Sequence, residues 1–327
     1  MTPTHSCRSR RPRLGRRAAA LGALALIAAA CVDDNSSPTT ATSDAPAAET
    51  TDAPTIAATT ADPSADDSSA DGPQRVVSLS PTHTEIMFAI GAGDRLVAVD
   101  QFSNYPEAAL ELPNELSGFE PNVEEIAAFE PDLVLIGGDF TGLGEQLDAL
   151  GIPWWDGPAA QSLTNTYDQI EQLGAVTGNV GEAAELVAQM QTDIDAIVAG
   201  AEAPDGLTYY HELTPDLFSV TSNTFIGEAY AQLGLTSIAD ELPDDAGGFP
   251  QLNAEFVVSS SPDVIVHDDC CGESIDTVSG RDGWDVIAAV QNGVVIEVDD
   301  DIASRWGPRV VEFYQVIADA LATVPAS

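Results

Sequence analysis

The chain has 327 residues, including 53 Asp or Glu, 11 Arg and no Lys, and its formal net charge is −42. So acidic a chain is not expected to bind nucleic acid, because contacts to phosphate depend on Lys and Arg. Adhesion to anionic lipid through a basic patch is excluded for the same reason.

The first 30 residues have the organisation of an export signal. Six arginines precede the apolar run "AAALGALALIAAA", which ends at Cys31. The run is too short to span a bilayer, which takes about 20 residues, but it suits a secretory signal. Because "AAAC" resembles a bacterial lipoprotein cleavage box, we predict that residues 1–30 are removed and that Cys31 carries lipid. The alternative is an ordinary signal peptide with a chance cysteine.

Residues 31–73 are predicted to form a disordered acidic tether. Ser, Thr, Ala, Pro and Asp dominate this stretch, and its apolar side chains are too sparse to offset the entropy of ordering. Without the signal, five arginines face 53 acidic residues, a net charge near −48. Cys270 and Cys271 are the remaining cysteines, so a disulfide scaffold is excluded; the pair is expected in a loop, either reduced or as a vicinal disulfide.

From Arg75 onwards, short apolar runs alternate with helical segments. This alternation predicts an α/β fold with largely parallel sheets. The predicted strands are "RVVSLS", "RLVAVD", "DLVLIG", "IPWWDG", "LTYYHEL", "DVIVHD" and "GVVIEVD", and the predicted helices include "HTEIMFAIGA", "GLGEQLDALG", "TFIGEAYAQLGL" and "GPRVVEFYQVIADAL".

An internal repeat divides the folded part in two. The segment "VEEIAAFEPDLVLIGG" at 123–138 aligns with "AEFVVSSSPDVIVHDD" at 254–269, which pairs Glu124 with Glu255. Between the copies, "GEAAELVAQMQTDIDAIVAG" has helical apolar spacing and no interior Gly or Pro. We therefore predict an N-terminal lobe over 74–178, a bridging helix over 179–202 and a C-terminal lobe over 203–327. The alternative is that this helix merely covers a sheet.

Catalytic motifs of the common hydrolase, metalloprotease and P-loop types are absent from the sequence. His83 and His211 are more consistent with structural histidines than with ligands of a metal or haem, and no zinc site can be assembled from them. The segment "TYYHEL" leaves open that Tyr210 or His211 faces a ligand. Five aromatic side chains fall in loops and favour an apolar pocket between the lobes: Phe102, Tyr105, Phe119, Phe249 and Trp306.

These residues resemble a known family. The markers "SPTHTE", "NYPEA", "FEPDLVL", "FPQLNAE" and "RWGPR" are similar to those of the vitamin B12 and ferric-siderophore substrate-binding proteins of ABC importers, through residues 75–324. The resemblance implies two Rossmann-like lobes joined by one long helix, the class III substrate-binding fold, with the ligand between the lobes. It also implies that Glu124 and Glu255 dock onto arginines of the permease, and that the loops holding Phe102, Phe119 and Phe249 supply cleft aromatics.

We therefore expect a receptor without enzymatic activity, cofactor or metal site, held by lipid on Cys31 at the outer face of the cytoplasmic membrane. Its partners would be a small-molecule ligand and an ABC permease dimer with its ATPase. Few arginines are present to pair with an anionic ligand, which favours a corrinoid; a ferric siderophore or haem is the alternative. A secreted enzyme using His83 or His211, and a surface adhesin or sensor, are further alternatives. The expected ligand-binding residues are Phe102, Tyr105, Phe119, Tyr210, Phe249, Arg305 and Trp306.

Overall fold

The computed structural model describes residues 72–201, 204–243 and 246–325. The predicted signal peptide, the predicted lipid site at Cys31 and the predicted tether up to residue 71 lie outside the described residues. Within the described part, no helix combines the length and apolar character needed to cross a bilayer.

The first lobe is built on a four-stranded parallel sheet with the strand order β2-β1-β3-β4. Its strands are β1 (Val76–Ser78), β2 (Leu96–Val99), β3 (Leu133–Ile136) and β4 (Trp154–Asp156). Its helices are α1 (Pro81–Ala89), α2 (Val123–Ala127), α3 (Leu143–Leu150) and α4 (Leu163–Thr177), with 3-10 turns at Gly93–Arg95 and Glu107–Glu111.

A helix of 21 residues, α5 (Val180–Gly200), then leads to the second lobe. The second sheet is parallel, with the strands β5 (Thr208–Glu212), β6 (Thr236–Ser237), β7 (Val264–Asp268) and β8 (Val295–Val298) in the order β6-β5-β7-β8. Its helices are α6 (Phe225–Gln232), α7 (Ala254–Ser260), α8 (Ile275–Ser279), α9 (Ala288–Asn292), α10 (Asp300–Ser304) and α11 (Val310–Leu321), with 3-10 turns at Ile238–Glu241, Cys270–Gly272 and Trp284–Val286.

The two sheets have the same topology. In each lobe the second strand in sequence lies at one edge beside the first, and the third and fourth strands follow on the other side of the first. The predicted fold of two α/β lobes joined by one long helix is therefore confirmed. The predicted strands and the predicted helices are present, but the two-residue strand β6, the helix α4 and the short helices α8, α9 and α10 were not predicted. A run such as "LTNTYDQIEQLGAVT" carries too few apolar residues to show its helical face clearly.

The Pro-Asp pair of the repeat performs the same structural task in both lobes. The carboxylate of Asp132 accepts hydrogen bonds from the backbone of Gln74 and Arg75 at 2.8 Å, and Asp263 accepts from the backbone of Thr208 at 2.9 Å. Each aspartate thus caps the backbone that enters the first strand of its sheet. The same contact at the start of the first strand in both lobes agrees with the recurrence of the motif in the sequence.

Helix α5 connects the lobes through a common apolar core. Its buried side chains are Ala183, Val187, Met190 and Ile194, which lie on one helical face. The same apolar cluster includes side chains of α1 and α4 in the first lobe and of β5 and α11 in the second. At 1.5 Å per residue the helix is about 30 Å long, so it joins the lobes as a continuous rod embedded in both.

Candidate functional site

Exposed aromatic side chains lie in the loops that follow the parallel strands. In the first lobe these are Phe102, Tyr105, Phe119 and Phe140, and in the second lobe Phe218 and Phe249. Phe119 is 76% exposed, and its ring meets that of Phe102 edge-on, with 5.8 Å between the ring centroids. Large exposed apolar groups of this kind mark surfaces that bind a ligand or another protein, because their contact with water is unfavourable. In open parallel sheets, ligands bind at the carboxyl ends of the strands.

Phe119 and Phe249 occupy equivalent positions in the two lobes. They end the related segments "ELPNELSGF" and "ELPDDAGGF", and a glycine precedes each. A Cβ at Gly118 would lie 2.3 Å from the carbonyl oxygen of Leu79, and one at Gly248 would lie 2.5 Å from Thr224 Cγ2. Each glycine therefore lets its loop pack closely against the lobe while the next ring stays exposed.

Two exposed aromatics were missed by the sequence reasoning. Phe140 follows β3 directly and is 87% exposed, and Phe218 forms isolated bridges with Thr214 and Gln251 beside Phe249. The clue for Phe140 was its place after "IGGD" at the end of a strand. Phe218 carried no such clue, since only long-range pairing brings its loop beside residue 251.

The lobes meet along a surface that we name the seam, formed by α1 and residues 100–105 of the first lobe and residues 299–309 of the second. At its centre the carboxylate of Glu85 is buried and accepts hydrogen bonds from Arg305 Nη1 at 2.8 Å and Arg309 Nη2 at 2.7 Å. Arg309 also lies over the ring of Tyr105, 4.4 Å from its centroid. A buried carboxylate of one lobe thus forms ion pairs with two arginines of the other.

Arg305, which was expected to contact the ligand, is held by other groups of the protein. Its side chain is 7% exposed and donates to Glu85, Asn104, Asp301 and the Phe102 carbonyl, so its donors are occupied by the protein. Tyr105 stays half-exposed and lines a hollow of about 370 Å³ beside Arg309, whose lining does not include Phe119 or Phe249.

Tyr210 also differs from expectation. It is fully buried in the apolar core of the second lobe, and its hydroxyl donates to Glu212 at 3.0 Å. Every residue from Tyr209 to Glu212 is buried, because β5 is covered on both faces. A strand of this kind gives no alternating pattern from which to tell which side chain faces a ligand.

All five arginines of the described part are engaged with oxygens of the protein itself. Arg75 meets the carbonyls of Phe129 and Glu130, Arg95 that of Thr177, Arg281 the carboxylates of Glu212 and Glu273, and Arg305 and Arg309 that of Glu85. Since the chain contains no Lys, these arginines are all of the Lys and Arg side chains in the described part, and all are engaged within the fold.

The second-lobe side of the seam is acidic. Carboxylate oxygens of Asp269, Asp299 and Asp300 lie within 4.8 Å of one another at the ends of β7 and β8. Burial raises the pKa of Asp300, and the neighbouring carboxylates of Asp301 and Asp269 raise it further. Asp301 of the same helix receives a 2.7 Å hydrogen bond from Asn104 of the first lobe, which places this acidic group at the seam.

His83 and Trp306 of the seam form a cluster with Trp155 and Gln169 of the first lobe. Gln169 Oε1 accepts from Trp306 Nε1 at 3.0 Å and lies 3.3 Å from His83 Nε2. The rings of His83 and Trp155 meet edge-on, with centroids 4.9 Å apart. Trp306 is therefore half-buried and oriented by the first lobe, and His83 is a core residue. In the second lobe, His211 is likewise buried, between Tyr230 and Asp268.

Burial lowers the pKa of His83 from 6.5 to about 4, against the opposing hydrogen bond to Gln169. The depressed value means that His83 contributes stability that is complete above pH 6.5 and is lost as the pH falls through about 4. We expect a loss of about 3 kcal/mol in the free energy of unfolding from this group, since each pKa unit is worth about 1.4 kcal/mol.

Urea unfolding of wild type and His83→Gln at pH 7 and pH 4 measures this effect. Carboxylate titration is common to both proteins, so the stability advantage of wild type over the variant should shrink by about 3 kcal/mol at the lower pH. Equal pH dependence in the two proteins would contradict the assignment.

Glu124 and Glu255 are exposed and lie in the first turns of α2 and α7. Asn122 and Asn253 cap these helices, accepting from backbone N–H groups of Glu124 at 3.0 Å and of Phe256 at 2.9 Å. The two glutamates therefore occupy matching positions on the two lobes.

Comparison with known proteins identifies the family to which this chain is similar. Residues 76–302 match the model of a family described as periplasmic binding protein. The ABC transporter substrate-binding lipoprotein YvrC of Bacillus subtilis is 31% identical over 258 residues, covering 76% of this chain and 80% of YvrC. A vitamin B12-binding protein of Yersinia pestis is 31% identical over 260 residues, covering 78% of this chain and 89% of that protein.

Among solved structures, the haem-binding protein RhuT of Roseiflexus in its apo form superimposes with a TM-score of 0.68 at 26% identity. That match covers 78% of this chain and all of RhuT. The family match spans more than half of the chain, and the two curated relatives are covered over most of their length. With its two parallel sheets and single connecting helix, the chain belongs to the periplasmic binding protein family, among the substrate-binding proteins of ABC importers.

Proposed function

We propose that this protein captures a corrinoid between its two lobes and delivers it to an ABC import permease. The choice of ligand rests on one observation. All five arginines of the described part are bonded within the fold, while aromatic rings on both lobes are exposed. A ligand bound between the lobes would be stabilised by apolar contact with these rings. On the second-lobe side it would meet carboxylates and not free cations.

A corrinoid suits these surfaces because its ring presents broad apolar faces and its periphery carries neutral amides. Haem and ferric catecholates carry negative charge, which the acidic seam would repel. The names of the Yersinia relative and of a Halobacterium salinarum relative, a cobalamin-binding protein, agree with this choice. Haem or a ferric siderophore remains the second candidate, favoured by the similarity to RhuT.

We also propose that Cys31 carries a lipid and that the acidic segment 31–73 is a tether. The N-terminal lobe would then span residues 74–178, the bridging helix 179–202 and the C-terminal lobe 203–327. The receptor would then work at the outer face of the cytoplasmic membrane, with a permease dimer and its ATPase as partners. The lipoprotein name of YvrC supports this arrangement. Phe102, Phe119, Phe249 and Trp306 are the proposed ligand contacts, and no catalytic step is proposed.

Titration of the purified protein with cyanocobalamin, dicyanocobinamide, ferrichrome, haemin and ferric enterobactin tests the ligand. We expect a corrinoid dissociation constant of about 1 μM or below, and haemin and ferric enterobactin at least about 100-fold weaker. Tryptophan fluorescence and calorimetry measure the affinities. Tightest binding of an anionic complex would refute the corrinoid assignment, and tightest binding of ferrichrome would select the siderophore alternative.

A further inference from the structure

The loop 100–105, which carries Phe102 and Tyr105, is held from both lobes. On its own side, Ser103 Oγ donates to Asp100 at 2.6 Å and lies 2.8 Å from Thr84 Oγ1 of α1. Burial raises the pKa of Asp100, although the hydrogen bond from Ser103 opposes this shift. These contacts fix the base of the loop at Asp100 and Ser103. Its tip, formed by Phe102, Asn104 and Tyr105, is held by other groups.

The tip is held by the second lobe. Arg305 donates to the Phe102 carbonyl at 3.0 Å and to Asn104 Oδ1 at 2.9 Å, while Asn104 donates to Asp301 at 2.7 Å. One residue further on, the Arg309 guanidinium covers the Tyr105 ring. All three tip residues are therefore held by groups that lie about 200 positions away in sequence.

We propose that Arg305 and Arg309 are positioning residues, which order the aromatic loop of the first lobe for the ligand without touching the ligand. This inference rests on the proposed function, in which the ligand lies against Phe102. A loop that is already ordered loses less conformational freedom when the ligand binds, so its order increases the affinity for the ligand. The first lobe would then present its complete aromatic surface only while the second lobe is seated against it.

Arg305→Met is the main test, because the methionine keeps most of the side-chain length but provides no donors. Arg305→Lys is the second variant; it keeps a charge beside Glu85 but cannot reach Glu85, Asn104 and Phe102 together. With dicyanocobinamide as the probe, we expect about tenfold weaker binding for the Met variant and a smaller loss for the Lys variant.

A double-mutant cycle separates positioning from general destabilisation. The effect of Arg305→Met should largely vanish in a Phe102→Ala background, because the ring that it positions is gone. The same change in a Phe249→Ala background should keep its full effect, since that ring belongs to the other lobe. Equal effects of Arg305→Met in both backgrounds would overturn the proposal.

Hydrogen exchange gives a readout that needs no ligand. The amides of Gln101 and Ser103 are bonded to the carbonyls of Leu116 and Asp100. In the Arg305 variants we expect these amides to exchange at least about tenfold faster, with no change at Ser219 and Leu252 in the second lobe. Unchanged exchange at 101–103 would overturn the positioning role. Faster exchange in a protein that does not bind cobinamide would uphold that role and reject the corrinoid.

Discussion

Replacing Glu85 with Gln is expected to lower the free energy of unfolding by about 3 kcal/mol, because it uncouples two buried arginines from their shared carboxylate. The Glu85 side chain is 2% exposed, and it bonds Arg309 through both of its oxygens and Arg305 through one. Gln keeps the shape but carries no charge, so a buried cationic pair would be left with only partial compensation from Asp301 and Asp299.

The matched control is Glu145→Gln in α3, the same change at an exposed position of the first lobe. It should alter stability by no more than about 0.5 kcal/mol. Urea unfolding is the measurement, since guanidinium would screen the very interaction under test. A Glu85→Gln protein as stable as the control would mean that the ion pairs across the seam contribute little to folding.

The double variant Glu124→Arg/Glu255→Arg is expected to reduce uptake at least about 100-fold while leaving ligand affinity unchanged. If the two glutamates dock onto permease arginines, reversing both charges replaces attraction with repulsion, which costs several kcal/mol. Both residues are exposed in first helical turns, away from the ion pairs of the seam, so the fold should tolerate the change.

Uptake is measured in cells that carry the matching permease, and ligand affinity on the purified variant. Glu145→Arg/Glu185→Arg changes the net charge equally at exposed positions of α3 and α5 and serves as the control. Normal uptake by the docking variant would remove both glutamates from the permease contact. Loss of uptake in both variants would point to net charge as the cause.

The internal repeat predicted the architecture well, because local sequence carries the information for strands, turns and helix ends. Pro131-Asp132 and Pro262-Asp263 mark equivalent strand entries, where each aspartate caps backbone donors a short distance away in space. Helix α5 was likewise readable from its uninterrupted apolar spacing. The loop aromatics were also visible, since a large apolar side chain between turn residues stands out without knowledge of its neighbours.

The sequence by itself determined two α/β lobes, the long connecting helix, and Phe102, Phe119 and Phe249 as loop aromatics. Only the tertiary structure decided where the side chains of Tyr210 and Arg305 lie and what they contact. Tyr210 lies in a strand that is buried on both faces. In such a strand, residue type does not indicate whether a side chain lies in the core or faces the ligand cleft. Arg305 has one carboxylate partner nearby in the chain, Asp301, but the other, Glu85, is 220 residues away. The local sequence therefore does not indicate whether Arg305 meets a ligand or the other lobe. Side-chain partners across the seam depend on how the two sheets dock, and that information is spread over both lobes.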